Sequence, residues 1–288
     1  MITGMYYTYD NPAELEDVIE NTFGISQTKY SLLYSFYSIP NSVLPLFGGL
    51  LIDRFGKNTG LLVCTLFIST GCVIIAIGGY MVDFNLLLAG RTIFGFGGET
   101  MYVVNMLYLT EWFYTQEYSL ACGLSGTIPN LFSSLSGFTV PLIYRYYGLG
   151  ATLSVGAALC VISSLSSFGM IFLDIRARTH DTKLRQGLRG EEPVEVEKFK
   201  ISDLKQFDKG FWIFVSDCFI SNGTASCAIA LGSNMLVSKY HFSTDVASVI
   251  DTFPYTMCII LMPFAGLLAD RMGKRMTIIL FCGATNIL

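Results

Sequence analysis

The sequence predicts an all-α membrane protein, a polytopic bundle assembled from two parallel halves. Composition is the first reason: 52% of the 288 residues are hydrophobic and only 14% charged, with mean hydropathy +0.53. Soluble domains carry about a quarter charged residues, so lipid is the expected solvent. Repeated apolar runs, each near the roughly 20 residues a spanning helix needs, are the second. The third is a duplication. Phe47–Lys57 (FGGLLIDRFGK) and Phe264–Lys274 (FAGLLADRMGK) agree at eight of eleven positions across a spacing of 217 residues.

The elements follow in chain order. Met1–Thr8 reads as the tail of a first membrane helix, and Tyr9–Thr28 as a polar, acidic stretch (Asp10, Glu14, Glu16, Asp17, Glu20). Span two is expected over Lys29–Ile52, closing on Asp53-Arg54-Phe55-Gly56-Lys57. Span three covers Gly60–Met81, ended by the short turn Val82-Asp83-Phe84-Asn85, and span four covers Leu86–Leu109. Spans five and six occupy Glu117–Tyr144 and Leu149–Leu173. A polar linker, 174–209, precedes span seven (Gly210–Val237) and span eight (Ala247–Ala269), and span nine opens at Met276. The domains expected are an N-terminal helical bundle at 1–173, the linker, and the start of a C-terminal bundle at 210–288.

Basic residues set the orientation, because short cytoplasmic loops concentrate Lys and Arg. Fourteen of the eighteen lie in the 2–3 loop, the 6–7 linker and the 8–9 loop, which alternation places on one side. The linker 174–209 is therefore expected to be cytoplasmic. All eight cysteines fall in apolar segments with no CxxC pair, so they read as small packing residues rather than a disulfide or zinc framework.

Both copies of the duplicated segment end a span on the cytoplasmic side, as two parallel six-helix halves require. Gly49 and Gly266 permit close helix approach. Asp53 and Asp270 sit at helix ends, where each can face a helix N-terminus or an arginine. The set Gly49, Asp53, Arg54, Gly56 and Lys57, with Gly266, Asp270, Arg271, Gly273 and Lys274, reads as a conformational gating motif.

This G-x-x-x-D-R-x-G-K segment, with Arg91-Thr-Ile-Phe-Gly95-Phe-Gly97-Gly98 in span four, resembles the first two signatures of the major facilitator superfamily. The resemblance implies a twelve-helix major facilitator fold, of which the chain would run from the end of helix 1 through the start of helix 9. Gly137-Phe-Thr-Val-Pro-Leu142 departs from the third signature, that of antiporters. Tyr7–Ala13, Leu33–Asn41 and Gly90–Glu99 further resemble the family of lysosomal dipeptide exporters known as major facilitator superfamily domain-containing protein 1. That likeness implies a lysosomal membrane location, a dipeptide substrate moved as a uniport, a glycosylated lysosomal accessory protein and a homodimer.

Ionisable residues inside a span are costly, and so are functional candidates. Arg91, Glu99, Tyr102 and Asn105 fall within a sector of about 120° on span four, expected to face a central cavity. Arg91 and Glu99 lie about 12 Å apart along the axis, too far for a direct ion pair. Arg91 serves either substrate or the packing of its own end of the helix. Glu99 suits a peptide ammonium or a proton. By resemblance Glu99 takes the ammonium end, and the span-five position that would hold a basic residue for the carboxylate is Asn130, a departure from the family. Asp217, on a face with Ser221 and Thr224, is a ligand or coupling carboxylate, or a satisfied structural one. Tyr34 and Tyr37 line a pocket, or face lipid or pack, and Asp251 caps a helix end or faces water. Asn222-Gly-Thr224 has the glycosylation pattern but lies within span seven, and His241 reads as a loop residue.

The function expected is movement of small polar solutes by alternating access, with dipeptide export first. Proton-coupled symport of another small solute and a non-transporting receptor are the alternatives. No nucleophile–base set, cofactor motif, metal site or nucleic-acid-binding feature stands out, so neither an enzyme nor a cofactor is expected.

Overall fold

The computed structural model describes residues 2–113, 117–189, 206–240 and 244–273, and every regular element among them is helical. In order they are α1 (Thr3–Glu14), α2 (Glu16–Phe23), α3 (Gln27–Tyr30), α4 (Leu32–Phe55), α5 (Lys57–Met81), α6 (Phe84–Phe113), α7 (Tyr118–Arg189), α8 (Lys209–Tyr240) and α9 (Thr244–Met272). Span nine lies outside the described residues.

Local chemistry explains most boundaries. Gly56, at φ +88°, ends α4 and opens α5, a backbone state that only glycine enters at little cost. Pro40 and Pro45 lie inside α4, and the chain bends by 53° at Pro45, where the ring removes an intrahelical hydrogen bond. Between α5 and α6, the Asp83 N–H bonds the Gly78 carbonyl at 3.1 Å, and the Asp83 Oδ1 accepts the Asn85 N–H at 2.8 Å. The turn Val82-Asp83-Phe84-Asn85 thus stops one helix and caps the next. Gly148, at φ +78°, divides α7 into arms over 118–147 and 149–189. These arms are spans five and six.

Two elements run further than their hydropathy suggests. α1 continues to Glu14 through residues that read as a polar loop, and Thr8, Asn11 and Pro12 are buried. The first arm of α1's neighbour α7 explains this: Ser136 Oγ donates to Asn11 Oδ1 and to the Tyr7 carbonyl, both at 3.1 Å. A polar side chain satisfied by a facing helix belongs inside a bundle as well as in a loop. Span six likewise does not stop at Leu173; its helix continues to Arg189.

The chain forms two compact units. The first comprises Met1–Trp112 and Leu131–Lys198, the second Phe113–Asn130 and Phe199–Leu288. The core of the first centres on Leu61, Cys72, Phe94, Met101, Val104 and Val140, all fully buried. Its helices approach closely through the glycines of α6. A Cβ on Gly97 would lie 2.5 Å from the Cys64 carbonyl oxygen of α5, and one on Gly95 would lie 2.6 Å from the Tyr37 carbonyl oxygen of α4. The Gly-rich run in α6 is therefore a two-sided packing surface.

Candidate functional site: a carboxylate face and two membrane-rim clamps

In the first copy of the duplicated segment, Gly56 places Lys57 at the start of α5, pointing into the first unit. Lys57 is 6% exposed. Its Nζ lies 2.5 Å from Glu111 Oε2, 2.7 Å from Asp174 Oδ1 and 4.2 Å from the centroid of the Tyr108 ring. Arg178 closes the group, with Nη2 2.8 Å from Glu111 Oε2 and Nε 3.1 Å from Asp174 Oδ2. Two cations and two carboxylates thus tie α5, the end of α6 and the second arm of α7 together. Asp53 and Arg54 are exposed, with the Arg54 guanidinium over the Phe55 ring at 5.7 Å. Gly49 has open space where its Cβ would be.

The second copy lies in the second unit and makes a different contact. Gly266 is buried against the backbone of Ser119 and Leu120 at the start of α7. The Asp270 carboxylate accepts the Ser119 N–H at 3.0 Å and the Leu120 N–H at 2.8 Å. Those amides have no intrahelical partner, and the helix dipole favours an anion there. Arg271 is exposed and Gly273, at φ +64°, ends α9 with its N–H on the Ala269 carbonyl at 3.1 Å. Lys274 lies outside the described residues.

The polar stripe of span four divides between two environments. Arg91 is 2% exposed and Asn105 is buried, whereas Glu99 and Tyr102 are exposed. Arg91 Nη2 donates to the Tyr9 carbonyl at 2.9 Å and reaches the Thr8 carbonyl at 3.5 Å. Pro12 accounts for the contact with Thr8: it has no N–H, so the carbonyl four residues earlier lacks its helical donor. Arg91 supplies one from another helix.

Glu99 is held by α4. Asn41 Oδ1 accepts the Glu99 backbone N–H at 3.1 Å, while Asn41 Nδ2 donates to the Tyr37 carbonyl at 3.1 Å. The buried Tyr37 hydroxyl makes no hydrogen bond of full geometry, but it lies beside the Glu99 carboxylate and against Gly98. Tyr37 also meets the ring of Tyr9 at 5.0 Å. Tyr6 of α1 lies within the electrostatic reach of both Glu99 and Tyr102. Sequence reading passed over one further residue, Asp10, whose carboxylate is half-buried, hydrogen-bonded by Ser133 and close to Arg91. Its position in an apparently polar segment hid it, although Tyr7–Ala13, the stretch that carries it, resembles the dipeptide-exporter family.

Asn130 and Asp217 belong to the second unit. Asn130 Nδ2 donates to the Gly126 carbonyl at 2.9 Å and approaches Met262 Sδ at 3.8 Å. Asp217 is exposed on α8. The first unit therefore brings Glu99, Tyr102, Tyr6, Tyr37 and Asp10 to one region, with Arg91 behind them against the α1 backbone.

A bundle of long apolar helices with a duplicated rim segment is the architecture of a multi-pass membrane protein. The chain belongs to the Major Facilitator Superfamily, whose profile matches residues 1–288. It is 33% identical, over 99% of its length, to the human lysosomal dipeptide transporter MFSD1, and 30% identical over 99% to that of Danio rerio. The chain spans 62% and 63% of those two relatives. Its fold is similar to that of the E. coli fucose:proton symporter FucP, with TM-score 0.61 at 13% identity over 94% of this chain and 70% of the symporter. The fold and family resemblances read from the motifs agree with these matches.

Proposed function

We propose that this chain forms part of a transporter that exports dipeptides from the lysosome by alternating access, as a uniport. The observation that carries the reading is Glu99: a carboxylate on the open face of α6, flanked by Tyr6, Tyr37 and Tyr102, with no cation paired to it among the described residues. Such a group suits the ammonium end of a peptide through a charge-assisted hydrogen bond. The relatives named as lysosomal dipeptide transporters support the substrate and the location. Arg91 is engaged with the α1 backbone and is not offered to the peptide carboxylate.

Asp10 favours a second reading, proton-coupled symport, because a half-buried carboxylate hydrogen-bonded to Ser133 is a plausible proton carrier. One experiment separates the two. The full-length protein in liposomes should take up labelled dipeptide at the same initial rate with and without a pH gradient. Uptake that requires the gradient overturns the uniport, and absence of dipeptide uptake under both conditions overturns the substrate.

A further inference from the structure

The second arm of α7 has two faces with different fates. Asp174 and Arg178 turn inward to Lys57 and Glu111, which fixes the rotation of the helix as it leaves the membrane. At 100° per residue the opposite face presents Phe172, Ile175, Arg176, Thr179 and His180. These five residues line an open cavity of about 480 Å³. Phe172 is 64% and Ile175 54% exposed, and Arg176, Thr179 and His180 are exposed beyond them.

The face is graded along its axis. Ile175 is the last apolar residue of this face, and His180 lies about 7.5 Å further on at helical rise. Headgroups occupy roughly the 5–8 Å outside each surface of the hydrocarbon core, so Arg176, Thr179 and His180 emerge within that layer. Arg176 forms no ion pair among the described residues, whereas Arg178, two positions on, forms two. One cation secures the fold, and the other is presented outward beside apolar side chains at lipid depth.

We propose that this face binds an anionic phospholipid of the leaflet on the linker side. Its acyl chain lies along Phe172 and Ile175, and its headgroup phosphate meets Arg176 and His180, the Thr179 hydroxyl being turned to the Ile175 carbonyl at 2.8 Å. The occupant follows from charge and depth together: a soluble anion has no use for Phe172 and Ile175, and a zwitterionic lipid makes less of Arg176. Cytoplasmic leaflets are anionic and attract basic residues just outside a spanning helix.

The test uses purified full-length protein and native mass spectrometry, with phosphatidylinositol 4-phosphate and phosphatidylcholine of matched chains as probes. The wild type should retain the anionic lipid over phosphatidylcholine by roughly fivefold or more. The Arg176→Gln/His180→Gln variant should lose that preference while keeping its melting temperature, since both side chains are exposed. Soluble inositol phosphate should displace the lipid poorly, and Phe172→Ala should weaken lipid retention without changing the headgroup preference. An unchanged preference in the double variant overturns the site. Equal retention of the two lipids by the wild type does the same, and displacement by the soluble headgroup at equimolar concentration assigns the face to a soluble anion instead.

Discussion

The Asp270 carboxylate accepts the backbone N–H of Leu120 at 2.8 Å, joining the end of α9 to the beginning of α7. The second copy of the duplicated segment thereby acts through a helix terminus, whereas the first acts through the side chain of Lys57. A carboxylate at such a terminus contributes about 0.3–1 kcal/mol, and up to about 2 in partly buried geometry. That is enough to bias an equilibrium between conformations several-fold, and small enough to be released in each cycle.

Replacing Asp270 should therefore alter rates more than affinities, and Asp53, at the matching position of the repeat and away from Glu99, is expected to behave alike. Asp270→Asn and Asp53→Asn in the full-length protein are expected to lower maximal transport several-fold with substrate affinity largely intact. Concentration-dependent uptake gives both quantities, and a large loss of affinity at unchanged turnover would contradict the assignment.

Lys57→Met tests the first copy of the duplicated segment. It removes the cation between Glu111 and Asp174 and leaves Asp174, 3% exposed, with Arg178 as its remaining ion-pair partner. Breaking a fully buried pair costs about 3–5 kcal/mol; Glu111 and Arg178 are about half exposed, so the low end of that range is expected. Thermal unfolding of the solubilised protein should show a lower midpoint for Lys57→Met. Lys57→Arg should retain most of the stability, because the charge is preserved. Equal midpoints for wild type and Lys57→Met would reduce the quartet to a surface feature.

Glu99→Gln should cripple transport of free dipeptides. A hydrogen bond to a charged group contributes roughly 1.5–3 kcal/mol, or one to two decades of affinity. With Asn130 in place of a basic residue, peptides amidated at the carboxyl end should lose less affinity than those acetylated at the amino end. Competition of both analogues against one labelled dipeptide measures this. If they compete equally, Glu99 is a proton site rather than an ammonium site.

The orientation argued from basic residues has its own check. An epitope inserted at Gly190 should be reached from the cytosol in permeabilised-plasma-membrane cells and protected from the lysosomal lumen. Luminal labelling would reverse the topology.

Hydropathy and motif spacing made the spans and the duplication legible, because each rests on local chemistry repeated along the chain. The glycines of the repeat were legible only in part: Gly266 packs against the backbone of Ser119 and Leu120 as expected, whereas Gly49, expected to do the same, faces open space. Partners distant in sequence were not legible in the same way. Lys57 meets Glu111 and Asp174 only after α5, α6 and α7 have packed, and a polar residue such as Asn11 or Asp10 looks alike in a loop and in a bundle until its neighbour is known. Arg91 and Glu99 share one stripe of α6, yet the arrival of α1 on one side alone gives them opposite surroundings.

The bond from Arg91 to α1 also has a timetable. The Thr8 carbonyl that Pro12 leaves without a donor is made 83 residues before the guanidinium that reaches it. At about 5–20 residues per second of synthesis, the first helix waits roughly 4–16 seconds for its missing partner. During that interval it has to rest against water, the insertion machinery or a chaperone. α1 is thus completed only once α6 has followed it, and its maturation is tied to the delivery of that helix.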